Sequence, residues 1–562
     1  MLTENIKEDI YDVVASERVL IIVALDVDAL CGCKILKLLL QQDNTQYTVI
    51  PVSGKDELKT IYNEHKDQIK HFFLINCGGN IDLLAMLEAE EDTKFYVVDS
   101  HRPLDLNNVY RDQIKVIIKD GDNTLDEIPE AEKVIEFEED EDESSENEDD
   151  TDQPSSKRQR TGDISYLEKK VKKKKWASER DQILDEYYES SYYGSSTAMV
   201  LYDLAWKLSK DNNHLLWLAI VGLTEQYLFA KIDRDKYFSD FNSLRDHVLR
   251  HNITDEEHTL SIDCMKISFE NELRLDLYRH WSIFESFFNS QYTSCCLRLF
   301  TMKGKKKLLE MLADIGVPIA QCKQKFTSMS IEFRTNVKEW IEELAAKYNL
   351  DDLTYGSFVS QHGYKHKFCA ADVVYAITAL LEYSKGDHSF SENFIDAFDA
   401  LTRTNIDKLI DGIELAKLQV ASLVLQVRSF IDSHQVVCAG PFLYAHMLEG
   451  ASNVHMFSKP TVIARLARFT LEAYSVMTKN KRARSLPMII AVPYNAAEGT
   501  SLLVGVPPVN DLSMKSFFGA AFKQASEKTK SRVVYNFFDP TVIEIKTEDR
   551  SKFFDNLAAI MA

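Results

Sequence analysis

Three short stretches carry side chains able to bind a divalent cation. LDVDALCG holds Asp26 and Asp28, two residues apart behind an apolar run; if both are extended, both carboxylates project to one side, and paired carboxylates bind divalent ions. INCG ends in Asn76, and YVVDSHRP ends in Asp99, Ser100 and His101. Acids and an imidazole at strand ends are the raw material of metal-dependent phosphodiester cleavage. That chemistry needs several anionic or imidazole ligands to hold two cations about 3.5–4 Å apart, where they activate water and stabilise the displaced oxygen.

The elements around these residues alternate in type. RVLIIVA is a continuous apolar run rich in Val and Ile, as expected of a strand buried on both faces of a parallel sheet. CGCKILKLLLQQ reads as a helix, YTVIPVSG as a strand, KDELKTIYNEHKDQ as a helix, HFFLINCGGN as a strand, IDLLAMLEA as a helix, and KFYVVDSHRP and QIKVIIKDG as strands. The alternation predicts an α/β domain with a parallel sheet and crossover helices. Ligands of such sheets sit at the carboxyl ends of the strands, where Asp26, Asp28, Asn76 and Asp99 lie. From Asp181 to about residue 433 apolar residues recur at helical spacing, as in GSSTAMVLYDLAWKLSK, TNVKEWIEELAAKYN and NIDKLIDGIELAKLQVASLVLQ. The tail, 434–562, returns to strands (VVCAGPFLYA, LPMIIAVPYN, TSLLVGVPP, TVIEIKTED) with two helices, a second and smaller α/β domain.

The formal charge of −22 is unevenly spread. Residues 136–152 hold 12 acids and no base, and residues 157–175 hold 9 Lys or Arg against Asp163 and Glu168. Overall acidity excludes a protein that coats DNA by charge alone. The acidic tract is expected to be disordered, and its Ser144 and Ser145 are candidate phosphate acceptors. Lys157, Arg158 and Arg160, followed by Lys169, Lys170, Lys172, Lys173, Lys174 and Lys175, match a two-part nuclear import signal and predict a nuclear protein. Local basic runs at 303–307, 364–368 and 479–484 are candidate contacts to DNA phosphates or acidic partners. Tyr364, His366 and Phe368 alternate with Lys365 and Lys367, a pattern open to base stacking or to burial of the rings. No apolar run approaches the roughly 18–20 residues of a membrane span; with an acidic start, this predicts a soluble intracellular chain without membrane contact. Nine cysteines without a CxxC pair predict reduced thiols rather than a zinc site. No GxxxxGK[ST] sequence is present, so ATP-driven work would come from another subunit.

The order of these stretches resembles the DHH phosphoesterase superfamily, which includes the RecJ-type exonucleases. LDVDALCG matches its Asp-x-Asp motif, INCG places Asn76 where an acid stands, and DSH (Asp99, Ser100, His101) matches the Asp-His-His signature. GLTEQ places Gln226 at the last motif's Asp, and no Gly-Gly-His sequence is present. Three ligands have lost charge or a strong donor, so the resemblance implies a vestigial site with no catalytic residue, metal or cofactor. The runner-up is a divergent single-metal phosphoesterase or exonuclease using Asp26, Asp28, Asp99 and His101. Within the superfamily, VALDVDALCGCKIL, FLINCGGNIDLL, RLDLYRHWSIFES, HGYKHKFCAADVVYA and FFDPTVIEIKTEDRSKFFDNL are similar to the replication-factor family cell division control protein 45, along nearly the whole chain. That resemblance implies a non-enzymatic subunit of the replicative helicase, bound to the minichromosome-maintenance ATPase hexamer, the GINS tetramer and other replication-fork proteins. It implies a role in initiation and elongation, and weak contact with single-stranded DNA. It divides the chain into a DHH-like α/β domain (1–135), a disordered acidic/basic linker (136–175), helices completing the first domain (176–231), a helical partner-binding insertion (232–395), a connecting helix (396–433) and a C-terminal DHHA1-like α/β domain (434–562).

Overall fold

The structure is a computed structural model. It describes all residues except 1, 4, 120–126, 136–157, 255–264, 363–365, 384–388, 452 and 510–513, and gives the backbone alone at 158–170, 172 and 253–254. The described chain forms two units, one of residues 1–120 and 191–562 and one of residues 121–190. The acidic tract with Ser144 and Ser145, Lys157, and Tyr364 with Lys365 lie outside the described residues.

The sheet of the large unit is built as its sequence dictates. The strands β1 (Val19–Ala24), β2 (Tyr47–Val52), β3 (His71–Ile75), β4 (Lys94–Val98) and β5 (Ile114–Ile117) are all parallel, in the spatial order β5-β4-β3-β1-β2, and Leu2–Thr3 pairs with β5 on the outside. All six residues of β1 are buried, which explains its unbroken apolar run. The chain passes from β1 to β2 on one side and to β3 on the other. The switch point therefore lies between β1 and β3, where a crevice opens at the carboxyl ends.

Helix α1 (Val27–Gln42) follows β1 after a two-residue turn capped by Asp26, whose carboxylate accepts the Ala29 N–H at 2.7 Å. Asp28 thus lies in the first turn of a helix. The expectation that Asp26 and Asp28 extend from one strand face is corrected: the Asp cap ends the strand at once. α1 is buried along most of its length and packs against α3 (Thr197–Lys207) and α4 (Asn213–Leu228). Between β2 and β3 lies α2 (Lys55–His65).

Two expectations about the middle of the chain change. The linker was expected to stay irregular through residue 175, yet Arg158–Tyr188 is one helix. Lys, Arg, Glu and Gln are strong helix formers, and Lys175 pairs with Glu179 one turn on at 3.5 Å. Its Lys173, Lys174 and Lys175 side chains are exposed. The region 232–395, expected to be helical, also holds an antiparallel sheet of Met265–Leu273, Thr354–His362 and His366–Cys369. Phe368 is buried there beneath the rings of His280 and His366, so this aromatic packs inward. Helices Ile283–Asn289, Met302–Asp314 and Ile331–Ala345 enclose a separate apolar core around Phe287, Met311 and Ile341.

The C-terminal sheet runs in the order Val437–Cys438, Leu443–His446, Met488–Pro493, Thr500–Val506, Val542–Lys546, Val533–Val534. One face packs on helices Ile406–Asp432 and Pro460–Met477, the other on Phe518–Thr529 and Arg550–Met561. The loop before Val542 reaches back to the first sheet. The Asn536 carbonyl accepts the Lys55 N–H at 2.8 Å, and its side-chain oxygen accepts the Asp56 N–H at 3.0 Å, capping α2. Asn80 Nδ2 donates to the Phe538 carbonyl at 2.8 Å. The C-terminal domain is thereby fixed beside the β1/β3 crevice.

Candidate functional site: a carboxylate cluster filled by its own chain

Asp26, Asn76 and His101 line one wall of a cavity of about 680 Å3, together with Tyr193, Lys231 and Asp539. Asn76 is its hub. The residue leaves β3 with φ 53°, a left-handed conformation that Asn tolerates. Its Oδ1 accepts the Ser100 backbone N–H at 3.0 Å and the Thr197 hydroxyl at 2.5 Å. A backbone N–H can only donate, so the amide orientation is fixed. Its Nδ2 therefore faces the acids, donating to Asp26 Oδ1 at 3.1 Å and to Asp28 Oδ2 at 3.4 Å. Asn76 stands where the superfamily has an acid; the structure turns its carbonyl oxygen away from Asp26 and Asp28 and presents an N–H donor to them.

Asp28 is spent on a helix. Its Oδ1 accepts the Ser196 hydroxyl at 2.5 Å and the Ala198 N–H at 2.9 Å, and its Oδ2 accepts the Thr197 N–H at 2.8 Å. The carboxylate thus sits on the positive end of α3. Gly222 of α4 permits this: a Cβ there would lie 2.6 Å from Asp28 Oδ1. Burial and the neighbouring Asp26 charge push the Asp28 carboxyl up, and the bonds from Ser196, Ala198 and Thr197 pull it back.

Asp99 is equally committed. Its Oδ2 accepts the Gly78 and Gly79 N–H groups at 3.1 and 2.7 Å, and its Oδ1 accepts the His101 N–H at 2.9 Å and His101 Nδ1–H at 2.7 Å. A Cβ on Gly79 would lie 2.7 Å from the Asp99 Cβ, so glycine is what lets the loop close on this carboxylate. Burial pushes Asp99 up, but the His101 charge and the bonds from His101 and Gly79 outweigh it and hold the carboxyl below the usual range. Burial pulls His101 down; the Asp99 charge and hydrogen bond overcome this and raise it above the ordinary imidazole value. His101 pairs in register with Tyr193, whose ring lies 5.1 Å away, and the Tyr193 hydroxyl donates to Asp539 at 3.1 Å. Ser100 is buried, and its carbonyl accepts the Gly194 N–H.

Gln226 lies on the last turns of α4, buried, with Nε2 3.5 Å from the Gly194 carbonyl. The charge at this position is next door. Glu225 is buried and pairs with Lys231 at 2.8 Å. Burial pushes Glu225 up to about 7; Lys231 pulls it down and Asp26 pushes it up. Ser196, Thr197, Glu225, Lys231 and Asp539 were not singled out in the sequence. Ser-Ser-Thr ahead of an apolar run is a legible helix start, but the identity of the acid resting on it is a tertiary fact.

A cation pair of the kind that metal-dependent phosphodiester cleavage needs does not fit this arrangement. Every oxygen of Asp28 and Asp99 already accepts at least one hydrogen bond from the chain, and Asn76 points a donor at the two leading acids. Among the described residues no group of three or more His, Cys, Asp or Glu side chains is arranged to hold a metal ion. The cluster binds its own protein: it fastens β1, β3, β4, α3 and α4 to one another.

A family model named CDC45 matches residues 19–163 and 130–560, almost the entire chain. The chain belongs to the CDC45 family. It is 45% identical over 568 residues to a cell division control protein 45 homolog of Homo sapiens, with both chains fully covered. It is 26% identical to cell division control protein 45 of Saccharomyces cerevisiae, across 96% of this chain and 95% of that one. A crystal structure of CDC45 from Entamoeba histolytica superposes with a TM-score of 0.71 at 22% identity over all of both chains, so the fold is shared. Membership of the CDC45 family supports a role in DNA replication. Among the described residues, no helix is long and apolar enough to cross a membrane.

Proposed function

We propose that the chain is a non-enzymatic scaffold subunit of the eukaryotic replicative DNA helicase. In this reading it works in the nucleus and docks on the minichromosome-maintenance hexamer and the GINS tetramer. It touches single-stranded DNA weakly, and the segment 232–395 supplies much of the partner surface. The observation that carries the reading is the Asn76 amide, which donates to Asp26 and Asp28 where a hydrolase would present an acid to a cation. A cluster whose Asp28 and Asp99 carboxylates are consumed by internal hydrogen bonds holds elements together and leaves the surface to function. The two basic runs outside the antiparallel sheet suit electrostatic steering to partners: Lys303 and Lys306 are exposed on the helix Met302–Asp314, as are Lys481 and Arg482 around the 3-10 turn Arg482–Ser485.

The experiment is reconstitution with purified hexamer and GINS, using the full chain and surface variants of the insertion. Excision of 232–395 is unsuitable, because it removes the wholly buried helix Ala370–Leu381. Met302→Glu and Ile331→Glu, at positions 79% and 74% exposed, leave the core intact. The proposal expects a stable ternary assembly with the wild type, weakened by at least one insertion variant. Failure of the intact chain to join hexamer and GINS overturns it.

A further inference from the structure

One charge at the site is unexplained by the family resemblance. Asn76 Nδ2 bonds both Asp26 and Asp28, and Asp26 shares a small cleft with Glu225, so three carboxyl groups gather here. Uncompensated, such a buried cluster would be strongly unfavourable. Hydrogen bonds from Asn76, Ser196 and the start of α3 offset part of it, but none of these groups carries a full positive charge.

We propose that the Lys231 ammonium is the built-in cation of this site, supplying the charge that a divalent ion would otherwise bring to Asp26, Asp28 and Glu225. Its placement follows from the end of α4. The chain leaves the helix through Ala230 in the left-handed region, φ 52°. The Lys231 N–H donates to the Gln226 carbonyl at 2.8 Å, and the Ala230 N–H to the Tyr227 carbonyl at 3.1 Å. This pair of bonds is a Schellman motif. It reverses the chain and lays Lys231 back along the turn that carries Glu225. Lys231 Nζ reaches Glu225 Oε1 at 2.8 Å and lies 5.0 Å from the centre of the Tyr193 ring. Tyr193 is itself fixed by its pairing with His101. The lysine side chain is only 18% exposed, and both Asp26 and Asp28 help to retain its proton.

A second observation marks the spot as built for a cation. Glu225 Oε2 and Gln226 Oε1 are buried with no hydrogen-bond partner among the described residues. Buried acceptors without donors are costly, and the first of these belongs to the carboxylate that the ammonium binds. Removal of the lysine head would leave the Glu225 carboxylate without its cation, with Asp26 on the same small cleft and Asp28 as further negative charge. Hard divalent ions bind such sets. Lys231→Ala therefore converts an internal salt link into a divalent-cation site.

The test is thermal unfolding of the full chain with MnCl2 or with EDTA. The wild type is expected to show the same Tm in both, and Lys231→Arg to behave likewise. Lys231→Ala is expected to melt several degrees lower in EDTA and to regain much of the loss in a saturable manner with Mn2+. Glu225→Gln combined with Lys231→Met, which removes both charges, is expected to recover most of the stability without any Mn2+ response. That double variant keeps the test decisive should Lys231→Ala fail to fold. Stabilisation of the wild type by Mn2+ overturns the inference, as do a double variant no more stable than Lys231→Met alone and a Lys231→Ala protein indifferent to both charge and metal. None of these readouts depends on partner binding, so this inference and the scaffold reading fail separately.

Discussion

Asp99→Asn probes most directly what the carboxylates now do. The change conserves shape and removes one charge. In the wild type four donors converge on the carboxylate: the N–H groups of Gly78, Gly79 and His101, and His101 Nδ1–H. An amide keeps one acceptor oxygen and turns an NH2 group toward the other pair of donors. Two buried N–H groups then lose their acceptor at about 1–3 kcal/mol each, and His101 loses its counter-charge. The expected loss is about 3–5 kcal/mol. With an unfolding entropy of about 2.1 cal/mol/K per residue, a cooperative unit of about 490 residues shifts its Tm by about 1 °C per kcal/mol. The variant should therefore melt about 3–5 °C below the wild type by scanning fluorimetry at pH 7, whether or not Mn2+ is present. A Tm within 1 °C of the wild type would refute the assignment of Asp99 to loop closure. So would a variant that keeps its Tm and loses a Mn2+-dependent activity.

Asn76→Asp tests the hub. The introduced carboxyl faces Asp26 and Asp28, so its folded pKa rises, and the penalty is absent below about pH 4 and grows as pH increases. Protonation limits the charge penalty to about 5 kcal/mol at pH 7.5 and to about 1.5 kcal/mol at pH 5; urea unfolding at the two pH values should show the deficit shrinking on acidification, and a pH-independent deficit would contradict it. Lys34 is buried in α1, donating at 2.6 Å to the Phe398 carbonyl and the Thr402 hydroxyl, and burial lowers it to about 8. Between pH 8 and about 10.5 the unfolded chain binds the proton and the folded chain does not, so stability contributed by this group rises with pH. The wild type should gain up to about 3 kcal/mol on Lys34→Met across that window, measured by urea unfolding; parallel pH profiles would contradict the burial argument.

Much of the fold was legible because its signals are local. β1 to β5 announce themselves as apolar runs closed by polar turns, and the alternation with helices leaves a parallel sheet as the natural solution. The strand Met265–Leu273 was not legible: KISFENEL alternates apolar and charged residues within a largely helical region, and its partner Thr354–His362 lies some eighty residues away. The basic helix Arg158–Tyr188 was masked by its composition, since a charged segment reads equally as solvated coil. At the site, Asp26, Asp28, Asn76, Asp99 and His101 were found from strand-end position, and the structure places Asp26, Asn76 and His101 on one cavity wall with Asp28 and Asp99 bonded behind them. What the sequence withheld was partner choice. That Asp28 rests on α3, that Asn76 presents its nitrogen, and that Lys231 doubles back to Glu225 through an Ala230 turn all depend on contacts far apart in sequence or on a left-handed residue that no glycine marks.

The central claim is that these acids secure a frame rather than hold catalytic cations. Incubation of the pure chain with end-labelled single-stranded DNA and Mn2+, beside Asp26→Ala prepared identically, tests it most directly. Both proteins are expected to show the same background at all Mn2+ concentrations. Sustained nucleotide release by the wild type that disappears in Asp26→Ala would contradict it.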